Sequence, residues 1–364
     1  MSKAFSPADR QWMRQAFACA RRAEGSVSPN PRVGCVLVRD DAVVGYGFHR
    51  GPGTAHAEGM AIEIAGDAAR GADAYVSLEP CAHHGHTPPC ADSLIGAGVR
   101  RVVAASQDPD PRVNGRGLEK MRAAGIEVEV GCLADEAERL NEGFFRWHRE
   151  QLPSVTLKAA TTLDGRLSAR DGESRWISSA ASRRWTHRLR WEHDAILVGA
   201  ETVRKDNPRL SVRLPNQQPI ARRAVIWSRS GRLDPSLAIF QNPEVELFLS
   251  QQASPPELAA TLHRPTDSED WEVRSLLQQL GSLGVRRLLV EGGGATLRAF
   301  IESGLATQLL MFQAPLVVGA EGAVPLVAGA AVDSPRDGWR WQREASFDLG
   351  GDQVGCWRPR CLPD

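Results

Sequence analysis

Apolar residues recur at Met13, Ala16, Phe17 and Ala20, the spacing of one helix face. They follow a start signal in Ser6-Pro7-Ala8-Asp9: a capping serine, proline at the first helical position and an acid in the first turn. Apolar runs then predict strands over 33–38 and 42–48, joined around Asp40-Asp41, and a helix over 56–69. A strand at 74–78, a helix at 90–97, a strand at 101–105, a helix at 117–124 and a strand at 126–130 continue the alternation. Strands alternating with helices argue for an α/β layer whose sheet is at least partly parallel. Trp147 to Pro153 is polar and ends in proline, which reads as a joint between domains. Beyond it the pattern restarts: a strand at 154–160, a helix at 180–191, and strands at 195–198, 223–227 and 245–250. A helix at 273–283, a strand at 287–290, a glycine run and a helix at 296–303 follow. Gln251 to Asp270, rich in proline and polar residues, reads as a surface excursion.

Length supports this division, since 364 residues accommodate two or three domains with cores of their own. Lys plus Arg and Asp plus Glu both total 44, so no polybasic field marks a nucleic-acid scaffold. Only Lys3, Lys120, Lys158 and Lys205 are lysines; the remaining cations are arginines, suited to bidentate grips on phosphate and carboxylate. The longest apolar stretch, Leu305 to Val332, is broken by Gln308, Gln313, Pro315, Glu321 and Pro325, so no membrane span is expected. Met1 to Arg22 is amphipathic and does not read as a secretory leader. Seven cysteines, an odd number at low density, do not form a disulfide framework, and a cytoplasmic location is expected.

Chemistry concentrates first in His56-Ala57-Glu58, Pro80-Cys81 and Cys90. One imidazole and two thiolates suit Zn²⁺, and three protein ligands leave a fourth position for water, whose pKa zinc lowers to about 7. Glu58 lies two residues from His56, so on a helix the two side chains do not share a face. That suits a carboxylate that handles a proton beside the metal without joining it. His56 and Cys90 both open predicted helices, where the positive dipole end favours anions. The order His-x-Glu, Pro-Cys, Cys is that of the zinc base deaminases, except that eight residues separate the cysteines where two are usual. The intervening segment carries His83, His84 and His86, so a structural site built from Cys81, His83 or His84, and Cys90 is the alternative, one that leaves Glu58 without a purpose.

Asn30-Pro31-Arg32-Val33-Gly34-Cys35, His56-Ala57-Glu58, the segment Glu79 to Cys90, Gln107-Asp108-Pro109-Asp110-Pro111 and Gly115-Arg116-Gly117 resemble the deaminase half of the bifunctional riboflavin biosynthesis family RibD. The resemblance implies a cytidine-deaminase-like three-layer α/β/α domain over residues 1–150. Within it, zinc is held by His56, Cys81 and Cys90, Glu58 is the proton shuttle, and Asn30 and His83 meet the substrate.

In the second half, Leu288-Leu289-Val290 runs into Glu291-Gly292-Gly293-Gly294-Ala295-Thr296. Glycines between a strand and a helix let backbone N–H groups approach a phosphate, although this is not the G-x-G-x-x-G fingerprint. Thr161 to Arg166, Gly172 to Ile177 and Gly199 to Leu210 are similar to the RibD reductase half, which implies a dihydrofolate-reductase-like α/β domain over residues 151–364 that uses NADPH. By position the resemblance implies cofactor contacts from Ala160, Trp176, Thr202, Asp206, Ser228, Gly293, Gly294, Ala295 and Thr296. It implies substrate contacts from Ser174, Arg190, Leu210, Arg213 and Glu291. Arg190 and Arg213 are of the right type to grip a sugar phosphate bidentately, and Arg229 and Arg232 to meet the cofactor's 2′-phosphate.

Together these readings imply two steps on a phosphoribosylated pyrimidine. The first is zinc-dependent hydrolytic deamination of 2,5-diamino-6-(5-phosphoribosylamino)pyrimidin-4-one, and the second is NADPH-dependent reduction of the ribosyl group to a ribityl chain. Small-molecule substrates, no nucleic acid or membrane partner, and a homo-oligomer are expected. The competing classes are a nucleic-acid base deaminase, which zero net charge disfavours, and a structural-zinc interaction protein with a nucleotide-sensing domain.

Overall fold

The computed structural model describes residues 5–23, 25, 27–82, 88–170 and 176–360. It resolves into two compact units divided between Gln151 and Leu152.

The first unit contains helix α1 (Pro7–Arg21), strands β1 (Gly34–Arg39) and β2 (Ala42–Phe48), α2 (Ala57–Ala65), β3 (Asp73–Val76), α3 (Cys90–Ala97), β4 (Arg101–Ala104), α4 (Arg116–Ala123), β5 (Glu127–Val130), α5 (Ala134–Leu140) and α6 (Glu142–Glu150). Its five strands run in the order β2-β1-β3-β4-β5. β1 pairs antiparallel with β2 and β3, whereas β3, β4 and β5 are parallel. Alternation along each strand assigns side chains to opposite faces. Cys35, Leu37, Val102 and Ala104 join Ala61, Leu94 and Met121 from α2, α3 and α4 in one core. Val36, Val38, Val103 and Ala105 join Met13 and Phe17 of α1 and Ala137 of α5 in the other. Three layers result. The start of α1 is as expected: the Ser6 hydroxyl accepts from Asp9 N at 3.1 Å, and the Asp9 carboxylate reaches back to Ser6 N at 3.0 Å.

The second unit contains β6 (Ser154–Thr161), β7 (Arg166–Ser168), α7 (Ala180–Glu192), β8 (Ala195–Gly199), α8 (Ala200–Asp206), β9 (Arg223–Ser228), β10 (Val245–Leu249), β11 (Thr261–His263), α9 (Val273–Ser282), β12 (Arg287–Val290), α10 (Gly294–Glu302), β13 (Gln308–Gln313), β14 (Val324–Pro325), β15 (Trp341–Leu349) and β16 (Asp352–Pro359). Nine strands form one sheet in the order β11-β10-β9-β8-β12-β6-β13-β16-β15. The pairs from β11 to β13 are parallel, and β16 and β15 close that edge antiparallel. Helices α9 and α10 cover one face through Leu276, Leu280, Leu297 and Phe300. On the other face, Val203 of α8 packs over Ile196 and Ile226, and Leu189 of α7 over Leu289 and Phe312. Lys158 to Ala160 of β6, Val198 of β8 and Glu291 to Gly293 after β12 border one cavity near the carboxyl ends of these strands, the usual location of ligands in open α/β sheets.

Several expectations shift. The helix expected over 56–69 is α2 followed by a 3₁₀ turn at Gly66–Ala69, with His56 as the cap and not the first helical residue. The joint expected from Trp147 begins later, because α6 runs to Glu150 and buries Phe145. The excursion at 251–270 contributes β11, a short edge strand parallel to β10. The glycine run starts its helix at Gly294, two residues earlier than expected.

Candidate active sites

In the first unit, two helix starts face each other. His56 caps α2 with extended backbone, Cys90 is the first residue of α3, and Cys81 lies on the loop leaving β3. His56 Nδ1 lies 3.1 Å from Cys90 Sγ and 3.7 Å from Cys81 Sγ, and Cys90 N donates to Cys81 Sγ at 3.4 Å. All three ligand atoms fall within 4.8 Å of one another. Tetrahedral zinc with bonds of about 2.0–2.3 Å separates its ligands by roughly 3.3–3.8 Å, so the spacing and the N/S/S chemistry fit that ion, and among the described residues no fourth protein ligand joins the three. The Cys90 thiol and backbone N–H both point at Cys81 Sγ and hold it toward the thiolate form, and the same contact pushes the Cys90 thiol up.

Glu58 lies in the first turn of α2, 2% exposed. Burial pushes its carboxyl up to about 7, the Cys81 charge adds to this, and it hydrogen-bonds with Cys90. The structure therefore brings His56, Glu58, Cys81 and Cys90 together. Asn30 sits at the same site through His49: its Nδ2 is 3.1 Å from His49 Nε2, and the His49 ring stands edge-to-face to His56 at 5.0 Å. Burial lowers the His49 pKa, as does its neighbour His56. His83 lies outside the described residues.

Behind the ligands, Glu79 is buried and accepts from Asp108 N, Gly115 N and Gly117 N at 2.9 to 3.2 Å. This clamp ties the Glu-Pro-Cys segment to the 107–117 loop. It requires glycine at 117, where a Cβ would fall 2.0 Å from the Pro80 carbonyl oxygen. Asp108, buried beneath it, has its carboxyl pushed up to about 7, first by burial and then by the nearby charges of Asp110, Glu79 and Cys81.

In the second unit, a cavity of about 820 Å³ is lined by Ala160, Trp176, Arg190, Thr202, Asp206, Leu210, Arg213, Glu291 and Gly293, among others. Ser228, Gly294, Ala295 and Thr296 stand back from that lining. The Ser228 hydroxyl accepts from Gly231 N at 3.0 Å, and the Thr296 side chain packs where a Cβ on Gly292 would be, within 2.5 Å. Gly293 caps α10, and among the described residues no side chain caps its first N–H groups, a helix start of the kind that suits a phosphate. Ser174 lies outside the described residues. Leu210 is buried at φ +51°, left-handed backbone that a leucine adopts only under constraint from its surroundings.

Arg190 lines this cavity and is already engaged within the protein. Its fork is engaged by Glu291, with Nε–Oε1 at 2.6 Å and Nη2–Oε2 at 2.9 Å, and its Nη1 donates to Ser211 O at 3.2 Å. These bonds take up the Nε–Nη2 edge, and one N–H on each of Nη1 and Nη2 remains for a substrate. Arg213 is exposed and turns its Nε toward His187 Nε2 at 3.2 Å. Arg229 is highly exposed and pairs with Asp270 at 3.3 Å.

Two residues escaped the sequence reading. Lys158, on β6, lines the cavity with its ammonium 5.4 Å from the Phe312 ring centroid; burial lowers its pKa and the nearby Glu291 charge opposes that. The available signal was a lysine interrupting an apolar strand in a chain with few lysines. His187, one turn of α7 from Arg190, has its pKa lowered to about 4 by burial and by the charges of Arg190 and Arg213. No helix among the described residues is long and apolar enough to cross a membrane.

Comparison with known proteins adds two family matches: the cytidine and deoxycytidylate deaminase zinc-binding region over residues 6–106, and the RibD C-terminal domain over residues 153–354. The riboflavin biosynthesis protein RibD of Aquifex aeolicus is 39% identical over 365 residues, covering 95% of this chain and 97% of that one. Its Escherichia coli counterpart is 41% identical over 330 residues, covering 86% and 89%. Among solved structures, Acinetobacter baumannii RibD superposes with a TM-score of 0.88 at 37% identity, covering 97% of this chain and 99% of that one. A Thermotoga maritima diaminohydroxyphosphoribosylaminopyrimidine deaminase/5-amino-6-(5-phosphoribosylamino)uracil reductase gives 0.87 at 34%, with the same coverage.

Proposed function

Since this chain belongs to the RibD family, a bifunctional deaminase and reductase of riboflavin biosynthesis that uses zinc and NADPH, we propose which of its residues carry out each reaction. The first unit deaminates 2,5-diamino-6-(5-phosphoribosylamino)pyrimidin-4-one. His56, Cys81 and Cys90 hold the zinc. When bound there, zinc lowers the pKa of a water and so supplies a nucleophile at neutral pH. Glu58 takes a proton from the attacking water and delivers it to the departing amine, leaving ammonia and the uracil product. Its burial keeps bulk water from competing for that proton. Asn30 and His83 meet the pyrimidine.

The second unit reduces the ribosyl group of that product. NADPH supplies the hydride, and the bare N–H groups at Gly293 and the start of α10 hold its phosphates, with Ala160, Trp176, Thr202, Asp206, Ser228, Gly294, Ala295 and Thr296 around it. Arg213 and Leu210 position the sugar phosphate, with Ser174 beside them. Lys158 would give up a proton to the ring oxygen as the bond from that oxygen to C1 breaks, the furanose opening to a hydroxyl while C1 takes the hydride. Glu291, fixed by Arg190, orients the sugar, and its charge opposes the burial that lowers the ammonium's pKa. The long exposed edge strand β15 supports a homo-oligomer, and the free thiols of the described cysteines support a cytoplasmic location.

The observation that carries this reading is the buried Glu58 carboxyl beside the His56, Cys81 and Cys90 ligand set. In a coupled assay the protein releases ammonia and oxidises NADPH. Glu58→Gln is expected to abolish ammonia release while zinc stays bound and NADPH oxidation on deaminated substrate continues. Chelation is expected to stop deamination alone, with zinc restoring it. Deamination surviving in Glu58→Gln rejects the assignment.

A further inference from the structure

His49 is neither a ligand nor the proton shuttle, yet it links the segment carrying Asn30 to the segment carrying His56. Its backbone N–H donates to Val33 O at 3.0 Å, and its ring is 4% exposed and braced against His56. The Ala55 carbonyl, 3.4 Å from Nδ1, can only accept, so Nδ1 carries the ring proton. Nε2 is then a lone pair, and the group facing it at 3.1 Å, Asn30 Nδ2, donates. An amide has two unlike ends, and this contact decides which one is left over. Asn30 is exposed, and among the described residues its Oδ1 accepts no hydrogen bond.

We propose that His49 is a positioning residue of the deaminase: its Nδ1-protonated ring pins the Asn30 amide with the carbonyl oxygen toward the substrate. The site thereby selects ring edges that present an N–H donor over edges that present only an acceptor. A ring with the wrong edge meets an acceptor facing an acceptor, which leaves two polar groups unpaired on binding. The inference rests on Asn30 meeting the substrate.

The test uses the full-length, zinc-loaded protein. Imidazole ¹⁵N spectra are expected to show His49 protonated at Nδ1 and bare at Nε2. His49→Ala frees the amide to turn and is expected to raise the deaminase KM about 10- to 100-fold, with a smaller effect on kcat. His49→Gln, whose carbonyl can accept from Asn30 Nδ2, is expected to recover most of that loss. The double variant His49→Ala/Asn30→Ala is expected to be no worse than Asn30→Ala alone, because both remove one interaction. NADPH oxidation on deaminated substrate, an activity of the other unit, is expected to stay unchanged in all of them. A ring protonated at Nε2, or losses that simply add in the double variant, overturns the inference. An Asn30→Ala variant with wild-type kinetics overturns the reading of Asn30 and the inference with it. Should His49→Ala fail to retain zinc, the tautomer of the wild-type ring still decides.

Discussion

Arg190 of α7 and Glu291 at the end of β12 meet through two parallel hydrogen bonds of 2.6 and 2.9 Å, in a place where neither side chain is more than 15% exposed. A bidentate pair of this kind fixes both planes and holds the Glu291 carboxylate in its charged form despite burial, which alone would raise its pKa.

Arg190→Ala strands a buried carboxylate and is expected to destabilise the second unit by about 3 kcal/mol, read by urea unfolding. Arg190→Lys keeps the charge but loses the fork, so it is expected to fold and yet to bind the ribosyl substrate poorly. Deamination by either variant is expected to match wild type. If Arg190→Lys has wild-type reductase kinetics, the fork has no role in the reaction.

Lys158→Met removes a buried ammonium and substitutes an apolar chain of similar length. Stability is expected to hold or rise, because a desolvated charge is lost. Reductase kcat is expected to fall by at least about 100-fold, the scale of a lost general acid, with NADPH affinity retained. A kcat within a few-fold of wild type excludes Lys158 as the proton donor.

Gly117→Ala places a methyl against the Pro80 carbonyl and pries at the Glu79 clamp. The expected result is a loss of about 2 kcal/mol in the first unit, with lowered zinc occupancy because Cys81 follows Pro80 directly. Metal analysis and thermal unfolding together check it. Reductase activity serves as the internal control.

Acidification is expected to act through His187. Its pKa falls from 6.5 in the unfolded chain to about 4 in the folded one, so the unfolded state binds the extra proton between those values. Stability is therefore complete above about 6.5 and is lost as the pH falls from there toward 4. His187→Gln, which cannot titrate, is expected to narrow the difference in urea midpoint between pH 7 and pH 5. An unchanged difference removes His187 from the account.

Sequence made the metal site legible because its residues carry local signals: His56 and Glu58 are two apart, and His56 and Cys90 both stand where helices begin. The parallel core was legible for a similar reason, since Leu288, Leu289 and Val290 read as a strand without help from distant residues. What stayed hidden depends on distance along the chain or on weak patterning. Arg190 and Glu291 are 101 positions apart, so their pairing left no trace in spacing, and Arg190 read as a phosphate ligand. β15 is exposed along nearly its whole length, so no alternation marks it, and the antiparallel closure by β16 and β15 was missed. His49 carries no motif, and only the contacts of its two ring nitrogens single it out.

The peptide between Gln151 and Leu152 crosses no sheet: β2-β1-β3-β4-β5 is complete before it and the nine-stranded sheet is drawn wholly from after it. Severing that bond would cost neither catalyst a strand or a core helix.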